Sequence, residues 1–256
     1  MSAPIRRAVL HLGGNGHASC RLDRARAALG RRCPALELVD VPYPGFEGRP
    51  GVGSFDDFLQ HLTGFVRDLP DRPVGGYASG IGALIALGLR ARGGLAGIPL
   101  IFQGPVLWGL EGRWFPRAMR IFPPARGLLR SAFALPAFRR RFARRQFVQG
   151  HDASALGPFF EGYRQCSAFG DLFDWLTPGL LRSMERAFEH DRAALGGITA
   201  WVGGRDRVVG IDEVRTTGRT LGVGWPVVEF EGWGHYPMID VPEEWADALC
   251  RALAPA

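Results

Sequence analysis

The chain has 256 residues, of which 46% are hydrophobic and 22% are charged. These values are typical of a soluble globular protein with one large domain or two small ones, and no apolar run is long enough for a transmembrane helix. The net charge is +6 and every basic residue is arginine. Because no nucleic-acid-binding motif accompanies the arginines, we attribute them to codon bias and expect no nucleic-acid partner.

The N-terminal residues lead directly into a predicted strand and lack the layout of a signal peptide. The four cysteines are scattered, without the spacing of metal ligands: Cys20, Cys33, Cys166 and Cys250. We expect all four to be free thiols in a reducing compartment, with Cys20 buried. The sequence therefore predicts a cytoplasmic protein that binds no metal and no membrane.

Predicted strands and helices alternate through the first 103 residues. The predicted strands lie at 8–12, 36–41, 74–77 and 99–103, and the predicted helices at 19–32, 54–69 and 80–92. Ser54 is the predicted N-cap of the second helix, because Asp56 and Asp57 follow it in the first turn. Regular alternation of this kind predicts an α/β fold with a doubly wound, mostly parallel sheet.

The alternation stops after residue 105 and resumes near residue 196. Residues 106–195 are predicted to be mostly helical and are rich in aromatic residues, arginine and proline. Strand patterns return at 198–202 and 227–231, before a last helix from Pro242 to about Leu253. We therefore predict a core of residues 1–105 and 196–256, with residues 106–195 as a helical cap inserted before the last two strands. Such a cap would shape the substrate pocket.

The segment Gly76-Tyr-Ala-Ser-Gly80 has the spacing of a nucleophile elbow. In the pattern G-x-S-x-G, a nucleophile stands on a tight turn between a strand and a helix, flanked by small residues. This spacing places Ala78 at the nucleophile position, where a methyl group cannot attack a carbonyl. Ser79 is the candidate surrogate nucleophile, although its side chain is expected to point away from that of Ala78.

Two further polar residues follow predicted strands, at the edge where open α/β sheets bind ligands. Asp206 ends Gly-Gly-Arg-Asp after the strand at 198–202, and His235 ends Gly-Trp-Gly-His after the strand at 227–231. Nucleophile position, acid and histidine thus follow one another in the order of a hydrolytic triad.

A glycine-rich loop follows the first predicted strand. Its residues Gly13, Gly14 and Asn15 could turn backbone N–H groups towards a developing oxyanion, with the N–H of Ser79 as a second donor. A dinucleotide-binding loop is disfavoured, because the spacing is not G-x-G-x-x-G and Asp40 precedes Val-Pro-Tyr-Pro.

Over nearly its whole length the chain resembles an α/β-hydrolase-fold protein with a helical cap between the strands near 103 and 198. The segments VDVPYPGFEGR and GWGHYPMIDVP resemble two loops of that family. The resemblance implies Asp206 as the acid, His235 as the base, and Gly14 or Asn15 near the oxyanion hole, with no cofactor. The chain begins at what the family counts as its third strand. We expect Trp108, Trp233 and Tyr236 to contact substrate.

Acyl-enzyme chemistry through position 78 is excluded by its alanine. We expect a hydrolase acting on an ester, thioester or similar acyl-type bond of a hydrophobic small molecule, in which a serine has been replaced by nature or by engineering. Two alternatives remain: the His235–Asp206 dyad catalyses proton abstraction, cofactor-free oxygenation, elimination or epimerisation without a nucleophile, or the chain is a ligand-binding pseudoenzyme.

The basic run from Phe138 to Arg145 is either a solvated helix face or a docking patch for an acyl-carrier or CoA-type anion.

Overall fold

The computed structural model describes residues 7–105, 113–148, 153–169, 171–175 and 177–253. Six strands form one sheet in the order β2-β1-β3-β4-β5-β6, and every neighbouring pair is parallel. The strands are β1 (Arg7–Leu12), β2 (Leu36–Asp40), β3 (Gly75–Ser79), β4 (Leu100–Gln103), β5 (Ile198–Gly203) and β6 (Val227–Phe230).

Helices connect the strands and fill the segment between β4 and β5. They are α1 (Asp23–Arg32), α2 (Phe55–Arg67), α3 (Gly82–Ala91), α4 (Trp114–Ile121), α5 (Pro124–Ala132), α6 (Pro136–Gln146), α7 (Ala153–Gln165), α8 (Asp171–Trp175), α9 (Pro178–Glu189), α10 (Ile211–Thr220), α11 (Pro237–Asp240) and α12 (Pro242–Leu253). In the described part of the chain, no helix combines the length and the apolar character needed to cross a bilayer.

The structure confirms the predicted α/β fold with its mostly parallel sheet. Every residue of β3 and β4 is buried, as expected for central parallel strands that are covered on both faces. Ser54 caps α2 as predicted, because its hydroxyl accepts the backbone N–H of Asp57 at 3.1 Å. One difference lies in β3, which continues to Ser79 instead of ending at Tyr77. This shift of two residues matters for the site.

Helices α4 to α9, which we call the helical insertion, separate β4 from β5 in the chain. Arg21, just before α1, ties the insertion to the core: its Nε donates to the carbonyl of Phe159 at 3.0 Å, and its guanidinium lies 4.2 Å from the centre of that ring. The predicted cap boundary at residues 105 and 106 coincides with the end of a described range, so it stays a prediction.

Two expectations about cysteine are wrong. Cys33 and Cys250 form a disulfide, with their Cα atoms 5.9 Å apart. Spacing along the sequence could not show this pair, because α1 and α12 pack together although 217 residues separate the two cysteines. Cys20, expected to be buried, is exposed at the start of a short 3-10 helix, whereas Cys166 is buried. Burial raises the pKa of the Cys166 thiol to about 12.

Candidate active site

Asp206 and His235 meet at the carboxyl edge of the sheet. His235 Nδ1 lies 2.8 Å from Asp206 Oδ2, and the side chains of His235 and Asp206 are only 5% and 0% exposed. The other carboxylate oxygen accepts the backbone N–H groups of Val208 and Val209 at 2.7 and 3.0 Å. With Nδ1 donating to the carboxylate, His235 keeps a lone pair on Nε2, as a general base requires.

Several interactions oppose the effect of burial on Asp206. Burial by itself would raise the pKa of this carboxyl group. The charge and the hydrogen bond of His235, together with the two backbone N–H donors, outweigh burial and hold the pKa below its ordinary value. Asp206 is therefore a carboxylate at neutral pH, which fixes the orientation and tautomer of His235.

Gly104 leaves the space in which the dyad forms. It follows β4 with a φ of +48°, and its N–H donates to the carbonyl of Trp201 at 2.8 Å. A Cβ atom on Gly104 would lie 3.1 Å from both Asp206 Oδ2 and His235 Nδ1. The sequence reading missed this residue, although a glycine directly after a buried strand was its visible signal.

The structure corrects the predicted position of the elbow. Ala78 lies inside β3, where its register partners are Leu12 on β1 and Phe102 on β4, and it is fully buried. The prediction that Ala78 occupies the nucleophile position is therefore wrong, because a residue in the middle of a paired strand is not on the turn.

The turn itself is at Gly80. This residue has a φ of +56°, between the end of β3 at Ser79 and the start of α3 at Gly82. A Cβ atom on Gly80 would lie 3.7 Å from His235 Nε2. A Cβ on Gly82 would lie only 2.1 Å from the carbonyl oxygen of Leu12, so position 82 requires glycine. The small flanking residues are thus Ala78 and Gly82, and the residue that faces the base is Gly80.

The position of the turn at Gly80 changes the roles expected of Ser79. Ser79 is the buried last residue of β3 and pairs in register with Gln103. It precedes the turn, so the backbone N–H after the turn residue belongs to Ile81 and not to Ser79. The surrogate-nucleophile hypothesis for Ser79 gains no support, because no hydrogen bond to His235 or Asp206 is seen among the described residues.

The glycine-rich loop lies against the elbow. A Cβ on Gly14 would be 3.2 Å from the carbonyl oxygen of Ser79 and 3.8 Å from the hydroxyl of Tyr236. Gly13 packs against His17, and a Cβ on Gly13 would lie 2.1 Å from His17 Cγ. The carbonyl of Gly13 accepts a hydrogen bond from the hydroxyl of Tyr43 at 3.2 Å. Asn15 is half-buried in the same loop.

A buried network beneath this loop was missed by the sequence reading. Asp40 Oδ1 lies 2.9 Å from His11 Nδ1 and 2.7 Å from His17 Nε2, so one carboxylate joins β1, the glycine-rich loop and the end of β2. Burial lowers the pKa of His11 to about 4. The ligand atoms of these three residues lie within 4.8 Å of one another, and both histidines hydrogen-bond to Asp40.

The three residues expected to contact substrate differ in their placement. Tyr236 is at the site: its ring centre is 4.8 Å from that of His235. Trp233 instead stacks on Phe230 with ring centres 3.7 Å apart, and its indole N–H donates to Glu244 at 3.2 Å, so its side chain packs against β6 and α12. Trp108 lies outside the described residues.

The helical insertion reaches the histidine loop. The carbonyl of Gln146 accepts the N–H of His235 at 3.1 Å, and the N–H of Val148 donates to Asp240 at 2.6 Å. Phe147 and Phe159 approach Tyr236 with ring centres 5.9 and 5.1 Å away. The insertion therefore contributes an aromatic wall next to the dyad.

Comparison with known proteins gives one family. The sequence model of the alpha/beta hydrolase family matches residues 9–248. A search of curated proteins finds no significant match.

Several solved structures share the fold. A bromoperoxidase from Bacillus anthracis has a TM-score of 0.72 at 15% identity, covering 98% of this chain and 93% of its own. A haloalkane dehalogenase from Bradyrhizobium elkani has a TM-score of 0.71 at 17% identity, with coverage of 99% and 91%. A bacterial membrane phospholipase A has a TM-score of 0.65 at 20% identity, with coverage of 97% and 78%. At these identities the likeness concerns the fold alone.

Proposed function

Because the chain belongs to the alpha/beta hydrolase family, we propose that it is an enzyme that hydrolyses an ester, thioester or similar acyl-type bond of a hydrophobic small molecule. The observation that carries the proposal is the position of Gly80. A dyad of buried histidine and aspartate faces this residue, where a family nucleophile would stand, and glycine offers no side chain to attack the substrate. In this proposal, water replaces the missing side-chain nucleophile.

In the proposed reaction, His235 Nε2 removes a proton from a water molecule held beside Gly80. The resulting hydroxide attacks the acyl carbon, and the backbone N–H groups of Ile81 and Gly14 stabilise the oxyanion. His235 then gives the proton to the departing alcohol or thiol, so that one water and one ester yield one acid and one alcohol. Asp206 orients His235 throughout and stabilises its protonated form.

The aromatic residues near the dyad support a hydrophobic substrate. Tyr236 lies beside His235, and Phe147 and Phe159 pack against Tyr236. The pKa of the Tyr236 hydroxyl is raised well above its ordinary value, chiefly by burial, so this side chain remains a neutral donor. A neutral, largely apolar wall favours an acyl chain or an aromatic ring over a charged group.

The same geometry leaves a second candidate open. A histidine base facing a glycine could remove a proton from the substrate itself, which would give elimination, epimerisation or cofactor-free oxygenation. The specific observation in its favour is the missing side chain at position 80, which frees Nε2 to meet a substrate C–H or O–H directly.

The Gly80→Ser variant tests the proposal. We expect its hydrolysis of short p-nitrophenyl esters to rise by about 10²-fold or more, since the serine of a working triad accounts for as much as about 10⁶ in turnover. Gly80→Ala is the matched control, because it adds the same Cβ at the same positive φ without the hydroxyl. Adding His235→Ala to Gly80→Ser should remove the gain.

Three other outcomes have distinct meanings. If the unmodified chain shows no hydrolysis that depends on His235, and Gly80→Ser behaves like Gly80→Ala, the hydrolase proposal is contradicted. Ala78→Ser tests the alternative frame of the elbow, and we expect no gain from it because position 78 is buried within β3. Ligand binding without turnover in every variant would identify a pseudoenzyme.

A further inference from the structure

The outer surface of helices α4 to α6 combines protruding apolar side chains with an unbalanced positive charge. Five large hydrophobic side chains are exposed in the described part of the chain, and four of them belong to this segment: Ile121, Phe122, Leu128 and Leu135, each 57–68% exposed. Apolar groups that are exposed together, rather than scattered singly, mark an interaction surface.

The charge of this segment has one sign. Residues 112–151 contain ten arginines and no aspartate or glutamate. Some of the arginines are paired with acids elsewhere, as Arg126 is with Asp174 and Arg113 with Glu213. Five exposed arginines have no ion pair with another described residue: Arg117, Arg140, Arg141, Arg144 and Arg145.

Short connections hold the three helices together as one surface. Arg126 Nε on α5 donates to the carbonyl of Met119 on α4 at 2.8 Å. Phe133, buried after α5, packs against Phe138 and Phe142 of α6, with ring centres 5.3 Å away in both cases. The aromatic side of α6 therefore faces inwards, and Arg139 packs on Phe160 of the same cluster, whereas Arg140, Arg141, Arg144 and Arg145 are exposed.

The arginines of α6 repel one another. Arg140 and Arg144, like Arg141 and Arg145, are four residues apart and so lie on the same face of the helix, where like charges are destabilising. An extended anionic surface would relieve this repulsion. A groove of about 510 Å³ between α5 and α7 has Arg130 and Arg164 in its lining. Arg164 is paired with Glu161 at 2.8 Å, so Arg130 is the cation that this groove offers to a phosphate group.

We propose that helices α4 to α6 dock on the surface of an anionic lipid bilayer. Ile121, Phe122, Leu128 and Leu135 would enter the interface, and the arginines would lie at the level of the lipid phosphates. A bilayer explains both features at once, because it offers hydrocarbon beneath a continuous layer of negative charge. An acidic carrier protein would match the arginines but would leave the protruding apolar side chains unexplained. The proposal is opposite to the expectation from the sequence that the chain binds no membrane.

Vesicle co-sedimentation tests the proposal without any assay of activity, so its result is independent of the proposed function. We expect the unmodified chain to bind phosphatidylcholine vesicles containing about 30% phosphatidylglycerol and not pure phosphatidylcholine, with weaker binding at high salt. Replacing Arg140, Arg141, Arg144 and Arg145 by glutamate should weaken binding by about 100-fold or more.

A matched control carries the same change of net charge on other elements. Exchanging exposed Arg67, Arg215, Arg219 and Arg251 for glutamate also lowers the net charge by 8, from +6 to −2. This variant should keep most of its binding. Ile121→Ser combined with Leu128→Ser should weaken binding by about 10-fold while leaving its salt dependence in place, because the arginines are retained.

The proposal is overturned if the unmodified chain does not bind anionic vesicles, or if the two charge-reversed variants bind equally weakly. Capture of a purified acidic acyl-carrier protein in the absence of vesicle binding would overturn it in favour of a protein partner. Near-ultraviolet circular dichroism of each variant would show whether its native packing is retained.

Discussion

Single glycines determine the geometry of this site more than the polar residues do. Gly80 provides the turn that faces His235, Gly82 allows α3 to pass the carbonyl of Leu12, and Gly104 leaves space for the dyad. Each of these positions would force a Cβ into a strained backbone or a close contact. In the proposed reaction Asp206 and His235 supply the chemistry, and the glycines leave the space in which the two side chains meet.

Gly104→Ala should damage the dyad specifically. The added Cβ would meet Asp206 and His235 at 3.1 Å, so we expect the hydrogen bond between them to be disturbed and activity to fall by about 10²-fold, as is usual for a misplaced catalytic group. Turnover and urea unfolding would measure the effect.

Gly93→Ala is the matched control for this variant. Gly93 has a φ of +78°, and no atom lies within 4 Å of the place that a Cβ would take. Its variant therefore reports the backbone strain alone, about 1–2 kcal/mol. Equal activity in the two variants would show that space at Gly104 is not important for the dyad.

At the level of elements, the two ends of the fold are joined by helix packing and a covalent bond. Helices α1 and α12 lie side by side, and Glu243 on α12 accepts hydrogen bonds from Arg31 and Arg32 on α1. These ion pairs are exposed and therefore contribute little stability. The disulfide between Cys33 and Cys250 is the stronger connection, because it closes a loop of more than 200 residues.

The purified, unreduced chain should show two free thiols per molecule after denaturation, and four after reduction. We expect reduction to lower the free energy of unfolding by about 2–4 kcal/mol, the typical contribution of a native disulfide. Replacing Cys20 and Cys166 by serine should leave this response unchanged. Four free thiols in the unreduced chain would contradict the bond and would fit the cytoplasmic compartment expected from the sequence, where disulfides are rare.

At the level of the whole molecule, two buried carboxylates make stability depend on pH. The pKa of Asp206 and that of Asp40 both lie below their ordinary values, since the hydrogen bonds and charges around them outweigh burial. A depressed pKa in the folded state stabilises the fold above the unfolded pKa of about 3.9, and this stabilisation is lost as the pH falls through the folded value.

Asp206→Asn should therefore destabilise the chain more at pH 7 than at pH 3. The difference in free energy of unfolding between the parent and the variant should shrink steadily below about pH 5, since protonation removes the same charge from the parent. Urea unfolding at pH 7, 5 and 3 would measure it, with exposed Asp71→Asn as the comparison. A difference that stays constant over this range would contradict the assignment.

The sequence predicted those features that depend on local patterns and chain order. Alternation of apolar runs with helical segments indicated the parallel sheet, and residues following strands indicated the Asp206–His235 pair. The elbow was placed wrongly because two overlapping frames have small residues four apart, Gly76 with Gly80 and Ala78 with Gly82. Gly76 is small for another reason: a Cβ there would lie 2.7 Å from Leu100 Cδ2. Only the position of the backbone turn, at Gly80, distinguishes the two possible placements of the elbow.

Contacts between elements that are distant in the chain could not be predicted from the sequence. The network of His11, Asp40 and His17 depends on β1 and β2 being neighbours, and the Cys33–Cys250 bond depends on α1 and α12 being neighbours. Neither residue set has a diagnostic spacing. In both cases the information lies in the tertiary arrangement and not in any segment of the chain.

The glycine at position 80 also has a pharmacological consequence. Organophosphates and fluorophosphonates inactivate serine esterases by phosphorylating the oxygen at the elbow, and this chain has a hydrogen on Cα at that place. Such poisons have no atom to modify at the elbow. A survey that counts esterases by covalent tagging of their serines would not detect an enzyme with this elbow.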